Sequence, residues 1–413
     1  MVYFFLFIAR AWADPIQDPP HILPTLQDLL SLPAPVSVGL GYVAEPTHLP
    51  FQSAFGFAHG LELAIQLSTG FSHEQTETWK EWDHWIFTLD LQQYYSNQDL
   101  TAQLGVVNGP QEIANDNGVY LGELSLTRNP GLGGWYIKTG YISINADFLA
   151  PDITGLYTHV SFNNQYNISV NLFPISPINS LGGVVGYLLP NELMFKAGIY
   201  QLNALRADMS TRGWGFEVDS TDGLVEIVQL EGSLGAGTER VAICPPTDHT
   251  FSWHAERCLQ DDSVVNELPS GYWQVGAFFS QGEEKQDERT NSHGVYANIT
   301  LPVQMDIAVS HRFWLSGMYG FQPENNPIPL WLGTGWITQG LFERRPLDLI
   351  VAGLVWNQFS LDDMRNREIL IELEYGIVLS DTIVVQPNVQ WYIDTPAIDT
   401  QPVTLGVGLH IGL

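Results

Sequence analysis

Apolar and polar residues alternate with a period of two along most of the chain. The C-terminal segment shows this most clearly, because every second residue from Val403 to Leu413 is apolar and the intervening ones, Thr404 to Gly412, are small or polar. Side chains of a β-strand point alternately to opposite faces of the sheet. The pattern therefore predicts strands with one apolar and one polar face.

Sixteen segments carry this alternation, at residues 36–44, 59–68, 85–95, 118–128, 135–145, 181–188, 194–201, 222–234, 271–280, 294–302, 309–320, 331–341, 348–358, 367–378, 383–393 and 403–413. They run to about ten residues, longer than the five or six usual in soluble sheets and long enough for a tilted strand to cross a bilayer. An even strand number is typical of outer-membrane barrels. The predicted fold class is therefore all-β, a transmembrane antiparallel β-barrel of about sixteen strands around a wet lumen.

Aromatic residues recur near the ends of these segments, where a membrane-interface girdle would lie. They are Tyr94, Tyr95, Trp135, Trp273, Trp331, Trp391 and Tyr392. A soluble β-sandwich also produces alternation, so strand length and aromatic placement are what favour the membrane barrel over it.

Charge composition excludes one large class of function. The chain of 413 residues carries 16 basic and 45 acidic residues, a formal net charge of −29. Binding to nucleic acid requires the neutralisation of phosphates by basic residues, so a nucleic-acid partner is excluded. An aromatic content of 12% is also too high for a disordered chain.

The N-terminus has the features of a shortened secretory signal. Residues 1–13 contain an apolar run followed by Ala11-Trp12-Ala13, a small-x-small cleavage site. A buried strand is the alternative for this run. Residues 14–35 carry leucines at near-helical spacing and predict a periplasmic segment with a short helix. Residues 36–413 are then the barrel domain, and no segment has the ~18–20 apolar residues of a membrane-spanning helix.

Two connections are too long for simple hairpins. The connection at 146–180 is expected to fold inward, where it would narrow the pore, with a mobile loop as the alternative. The connection at 235–270 holds the two cysteines, Cys244 and Cys258, and is expected to be an insertion. An exported protein favours a disulfide between them. With His249 and His254 the spacing also resembles a zinc site, and two free thiols are the third alternative.

Several segments resemble the carbohydrate-selective porins of the OprB type. Val385–Ile393 reads VQPNVQWYI and is similar to the family pattern LQPDLQYVINP, and Ile371–Tyr375 reads IELEY, like LELTY. Gly340–Asp348 (GLFERRPLD) resembles GPIPGRPDD. Trp135–Gly140 (WYIKTG) followed by Asn145–Phe148 (NADF) resembles the WLKLG…DANTDF region. The resemblance covers nearly the whole mature chain.

This resemblance implies passive diffusion of small carbohydrates through the outer membrane, without covalent chemistry and without a cofactor. Outer-membrane lipids are the expected surroundings, and a homo-oligomer is a further possibility. Strand parity, the family motif for the arginine and the inward connection for Asp147 give the following candidate lumen residues: Asp90, Glu123, Lys138, Asp147, Lys196, Tyr200, Arg345, Glu372, Glu374, Gln386, Asn388 and Gln390. For each of these residues, the alternative is a solvated position on the pore wall that has no effect on selectivity.

Other functions stay open from the sequence. The excess of acidic residues, placed in the lumen, would favour a general or cation-tolerant pore. A hydrolase would need a nucleophile and a base in a known arrangement, and neither G-x-S-x-G nor H-E-x-x-H is present. Glu372 and Glu374 lie on one strand face, as paired glycosidase carboxylates could. A plugged, purely structural barrel is the third class.

The period-two pattern makes a direct prediction about the purified protein in detergent. Its circular dichroism should be rich in β-structure, and its mobility on a gel should change on heating, because a closed barrel migrates as a compact form until it is unfolded. A helical spectrum would reject the barrel.

Overall fold

The computed structural model is a closed antiparallel barrel of sixteen strands. It describes residues 36–412 apart from 69–83, 115, 130–133, 164–172, 178, 190–192, 203–211, 219–221, 235–270, 283–290, 304–308, 327, 343–344, 346, 361–366, 381 and 396–400. The strands are β1 Val36–Leu49, β2 Ala54–Ser68, β3 His84–Ser96, β4 Gly118–Asn129, β5 Trp135–Ile142, β6 Ser180–Leu188, β7 Met194–Leu202, β8 Gly223–Leu234, β9 Gly271–Gln281, β10 Asn291–Val303, β11 Ser310–Gly320, β12 Leu330–Gln339, β13 Leu349–Gln358, β14 Arg367–Ser380, β15 Ile383–Asp394 and β16 Val403–Gly412. Each predicted segment overlaps one of them, which confirms the fold class.

Each strand pairs with its neighbours in sequence, and the first strand pairs with the last. In that closing pair Tyr42 lies opposite Ile411 and Thr47 opposite Gly406. Closure removes the two free edges of an open sheet, so most backbone N–H and C=O groups of the wall find partners within the sheet. A barrel can therefore stand in an apolar medium that supplies no hydrogen bonds.

The two faces of the wall differ as the alternation predicts. On β16, Leu405 points outward and is exposed, whereas Thr404 and Gly406 are buried on the inner side. On β15, outward Val389 is exposed between inward Asn388 and Gln390, which are buried. Apolar side chains therefore cover the outside of the barrel, and polar ones line much of its interior.

Large aromatic side chains are exposed on the outer face near both ends of the barrel. We call the end from which the long β3–β4, β5–β6 and β7–β8 loops leave the loop rim, and the opposite end the turn rim. Near the loop rim lie Phe55, Tyr95, Phe279, Tyr319, Trp356 and Trp391, and near the turn rim lie Trp85, Phe87, Trp135 and Phe195. This arrangement is typical of the two girdles of an outer-membrane barrel.

Three of the predicted girdle residues lie elsewhere. Tyr94, Trp331 and Tyr392 are almost completely buried and face the interior. Tyr94 and Tyr392 each sit beside an exposed aromatic, Tyr95 and Trp391, and adjacent residues of a strand must point to opposite sides. Assigning both members of such a pair to the girdle was wrong on this ground.

The helices of the described residues are short. They are α1 Leu100–Leu104 and α2 Val160–Asn163, with 3-10 turns at Asp152–Leu156 and Pro323–Asn325. Asp99 caps α1 by accepting hydrogen bonds from the backbone N–H groups of Thr101 and Ala102. In the described part of the chain, no helix has the length and apolar character needed to span a bilayer.

Several sequence predictions concern segments that lie outside the described residues. These are the signal remnant at 1–13, the N-terminal helix within 14–35, and the insertion at 235–270 with Cys244 and Cys258. They stay predictions.

Candidate functional site

The predicted lumen residues of β14 and β15 do face the interior. Glu372 and Glu374 on β14 and Gln386, Asn388 and Gln390 on β15 are buried. Leu373, which lies between Glu372 and Glu374 in the sequence, points outward and is 53% exposed. Strand parity therefore predicts correctly that these side chains lie on the inner side of the wall.

The described residues of the β5–β6 loop, 143–163, 173–177 and 179, run inside the barrel, as the sequence predicted. Its described middle part reaches the inner face of β11–β14. The Tyr157 hydroxyl donates to the Ala352 carbonyl over 2.9 Å and accepts from the Trp314 indole N–H over 2.9 Å. The indole N–H of Trp331 donates to the Ser161 carbonyl over 3.0 Å. Tryptophan and tyrosine are suited to this place, because each has an apolar body and a polar tip.

Two glycines of the inner wall make room for this loop. A Cβ on Gly335 would collide with the Tyr157 hydroxyl and the Trp314 indole. A Cβ on Gly353 would collide with the rings of Phe162 and Tyr157, which stack with centroids 4.5 Å apart. The absence of a side chain at these two positions therefore lets the loop aromatics pack directly against the strand backbone.

Glu372 and Glu374, which are neighbours on the inner face of β14, bind backbone N–H groups of the β5–β6 loop. Glu374 Oε1 accepts from the Thr158 backbone N–H over 2.8 Å and from the Thr158 hydroxyl over 3.1 Å. Glu372 accepts from the same hydroxyl over 2.9 Å and from the His159 N–H over 3.4 Å. Gln386 donates to the Leu156 carbonyl over 2.7 Å.

His159 makes two hydrogen bonds that assign its tautomer. Nδ1 accepts from the backbone N–H of Ser161 over 3.0 Å, so the ring proton lies on Nε2, which is 2.8 Å from the Tyr392 hydroxyl. Burial lowers the pKa of His159 from 6.5 to about 3. The imidazole is therefore neutral when the loop is docked.

The β3–β4 loop, residues 97–117, also enters the barrel and meets the β5–β6 loop. Glu368 of β14 accepts from the Val107 N–H over 3.2 Å and from the Asn108 amide over 3.0 Å. The same Asn108 amide donates to the Ser161 hydroxyl. Gln390 donates to the Pro110 carbonyl over 2.9 Å and to Glu372 over 2.8 Å. One strand, β14, thus holds both loops through three carboxylates on its inner face.

Apolar packing adds to these polar anchors. The inner faces of β11–β15 and the two loops share one cluster of buried side chains, which includes Leu100, Leu104, Ile153, Leu156, Phe162, Trp314, Trp331, Val351, Val355, Leu370 and Tyr392. A buried apolar cluster of this size fixes the loops as parts of the interior rather than as free chains.

The opposite part of the wall carries one cluster of three charged residues and one further ion pair. Lys138 Nζ lies 3.2 Å from Glu123 and 3.6 Å from Asp147, and Asp147 also accepts from the Tyr136 hydroxyl over 2.6 Å. This cluster fastens the start of the β5–β6 loop to β4 and β5. All three charged side chains are almost completely buried.

The second ion pair is more accessible. Lys196 Nζ lies 2.9 Å from Glu231, and the two side chains are 11% and 14% exposed. The Tyr272 hydroxyl donates to Glu231 over 2.7 Å, and the ammonium lies 5.5 Å from the centre of the Phe148 ring. Each charge therefore faces a compensating partner.

Two predicted lumen residues have other surroundings. Arg345 lies in the β12–β13 turn, where it makes two 2.9 Å bonds to Asp348 and one of 2.8 Å to the Val378 carbonyl. Tyr200 faces inward but packs in an apolar cluster beside Phe148. Arg345 thus ties a turn to β14, and Tyr200 belongs to the packing beneath the β5–β6 loop.

Sequence reasoning missed several residues of this site. Glu368 has the same parity as Glu372 and could have been found from it. Thr158, His159 and Asn108 lie in loops without periodicity and gave no signal. Among the described residues, no group of three or more His, Cys, Asp or Glu is arranged to hold a metal ion. The arrangement is suited to narrowing a passage and lining it with hydrogen-bonding groups.

Comparisons with known proteins agree with this architecture. The sequence model of OprB, the carbohydrate-selective porin family, matches residues 59–412. The high-pH structure of Pseudomonas putida OprB has a TM-score of 0.72 at 14% identity, covering 94% of this chain and 96% of that one. The low-pH structure has a TM-score of 0.50 at 13% identity, covering 94% and 95%.

A triple mutant of Rhodopseudomonas blastica porin has a TM-score of 0.45 at 9% identity, covering 92% of this chain and 100% of that one. No curated protein sequence matches. At 14% identity the likeness to the high-pH Pseudomonas putida structure shows the fold alone, whereas the family match spans most of the chain. The chain belongs to the OprB family of carbohydrate-selective porins, and it is an outer-membrane β-barrel that gives carbohydrate-preferring passive diffusion.

Proposed function

We propose that this porin passes small neutral sugars in preference to ions because the charges of its inner wall are already compensated. Lys138 and Lys196 each face a carboxylate within 3.2 Å. Glu368, Glu372 and Glu374 accept hydrogen bonds from loop backbone N–H groups. This compensation is the observation that carries the proposal, since an ion gains most from wall charges that are not yet paired.

A neutral sugar uses the same wall differently. Its hydroxyl groups can exchange bonds to water for bonds to amides, hydroxyls and paired charges, and binding must stay weak enough for release. The Lys196–Glu231 pair with Tyr272 offers donors and acceptors side by side. Family and fold indicate a channel rather than an enzyme, and we propose that Glu372 and Glu374 serve as loop anchors rather than as glycosidase carboxylates.

Anchoring matters for selectivity because the two loops define how wide the passage is. A loop fixed at Thr158 and Asn108 presents one aperture, whereas a released loop would sample several. A lipid belt around the apolar outer face belongs to the same proposal.

The proposal is tested first by swelling of proteoliposomes. Vesicles containing the porin should swell faster in a monosaccharide than in a zwitterion of equal size, because a zwitterion must shed more strongly held water. Equal rates would indicate a non-selective pore and contradict the proposal. Absence of chromogenic-glycoside cleavage should accompany swelling, and cleavage would instead support the hydrolase.

The Lys196–Glu231 pair gives a charge test. Lys196→Met leaves Glu231 without its cation, so the zero-current potential in a KCl gradient should move towards that of K⁺. Glu231→Gln should move it the opposite way, and the double variant should return close to the unmodified porin. No shift in either single variant would mean that this pair lies off the permeation path.

The loop anchor gives a second test with a control on the same strand. Glu374→Ala removes the acceptor of the buried Thr158 N–H, a loss of about 1–3 kcal/mol. Single-channel current should then fluctuate among several levels because the loop is released part of the time. Leu373→Ala, on the outer face beside it, should keep one steady level. If both variants were equally steady, the glutamate would not hold the loop.

Acid should weaken the docked loop through His159. In the docked loop its pKa is lowered to about 3, whereas a released loop regains the ordinary 6.5. The released state therefore binds more protons below 6.5, so the contribution to docking is complete above pH 6.5 and falls progressively towards about pH 3. Current noise should rise as pH falls through this window.

The matched control is His159→Gln, which keeps an acceptor and a donor but does not titrate. Since Glu372 and Glu374 are present in both proteins, a smaller acid response in the variant isolates the histidine. The same acid response in both proteins would show that His159 does not contribute.

A further inference from the structure

The wall of the barrel has one place where two neighbouring strands are unequal in length. β4 begins at Gly118 at the loop rim, but it pairs with β5 only over Leu124–Arg128. β5 ends at Ile142, where the chain turns inward as the β5–β6 loop. The segment of β4 from Gly118 to Glu123 therefore has no strand on that side.

A short segment of the β7–β8 loop, Arg212–Val218, lies along this open stretch. We call it the rim segment. The Leu121 N–H donates to the Arg212 carbonyl over 3.0 Å, and the Trp214 indole N–H donates to the Val119 carbonyl over 3.1 Å. Gly213 has a φ of +76°, and a Cβ there would lie 2.7 Å from the Leu121 carbonyl oxygen. Glycine thus permits both the turn and the close approach.

The rim segment lies on the outer face. Phe216 packs edge-on against Tyr141 of β5, with ring centroids 4.5 Å apart, and Tyr141 is consequently buried. Trp214, Phe216 and Val218 are nevertheless 48%, 50% and 65% exposed. Three large apolar side chains at alternate positions are thus presented to the surroundings of the barrel.

The height of the rim segment on the barrel is set by strand register. Trp214 is bonded to Val119, which lies opposite Gln93 of β3. Tyr95, two residues further along β3, belongs to the exposed aromatic girdle at the loop rim. Trp214 therefore lies at about the height of that girdle, and it contacts β4 at outward Val119, which is also exposed.

We propose that the rim segment is a lipid-contacting element that completes the aromatic girdle where β5 is too short to supply it. Tryptophan and phenylalanine at girdle height prefer the boundary between headgroups and acyl chains. The occupant of this surface is lipid, because the segment lies at girdle height, packs on outward Tyr141 and stands beside exposed, outward Val119. The inference is independent of which solute passes through the lumen.

The experiment uses single cysteines in a Cys244→Ser, Cys258→Ser background, labelled with an environment-sensitive fluorophore in proteoliposomes. Val218→Cys reports on the rim segment. Leu373→Cys, on the outer face of β14, is the lipid control. Phe51→Cys, in the β1–β2 turn and 82% exposed, is the water control. Heat-modifiable gel mobility confirms that each variant is folded.

The label at position 218 should be quenched by phosphatidylcholine brominated near the headgroup. It should be quenched by aqueous iodide severalfold less than the label at position 51. Iodide quenching equal to that at position 51, with no effect of the bromolipid, would place the segment in water and overturn the proposal. Protection from both quenchers would also overturn it, because the segment would then be covered by protein, such as a second copy of the chain.

Discussion

The need to pair every backbone N–H and C=O in a medium without water governs this molecule. A sheet meets that need in lipid only when its first and last strands join, as β1 and β16 do here. Closure then separates the side chains into two populations with different tasks. Outward residues such as Leu373 and Leu405 provide the apolar surface. Inward residues can be polar and bind the two loops that enter the barrel.

The inward residues of β14 show what this freedom permits. Glu368, Glu372 and Glu374 face a largely protein-filled interior, where an isolated carboxylate would be costly. They are stabilised chiefly by N–H, amide and hydroxyl donors from the two inserted loops rather than by arginine or lysine. The acidic wall and the loops therefore depend on each other, because the loops supply the donors and the carboxylates hold the loops in place. An acidic composition is thus compatible with a pore that does not favour cations.

The sequence was sufficient for the wall because strand parity is a local rule. The positions of Gln386, Asn388 and Gln390 follow from counting residues along one strand. The loop contacts are not local, since Thr158 and Glu374 are separated by 216 residues, and no periodicity marks a loop tip. The errors have physical causes too. The position of Tyr392 near a strand end predicts a girdle residue, but its parity turns it inward. The motif alone gives Arg345 as a lumen candidate, and its partners in the structure are Asp348 and the Val378 carbonyl. The rim segment escaped notice because it fills a gap that exists only once the strands are aligned.

Because Gly335 and Gly353 lie opposite the loop tip, substitutions that alter the passage are distinct from substitutions that alter the outer surface. Room for the loop is made on the inner side of the wall alone, so exchanging loop-tip residues alters the passage without altering the surface that folding factors and lipids meet. Substrate preference can then diversify while biogenesis stays constant. A family of such proteins can therefore keep one barrel fold at very low sequence identity. It can change the permeating solute through a few loop residues that lie inside the barrel and do not contact lipid.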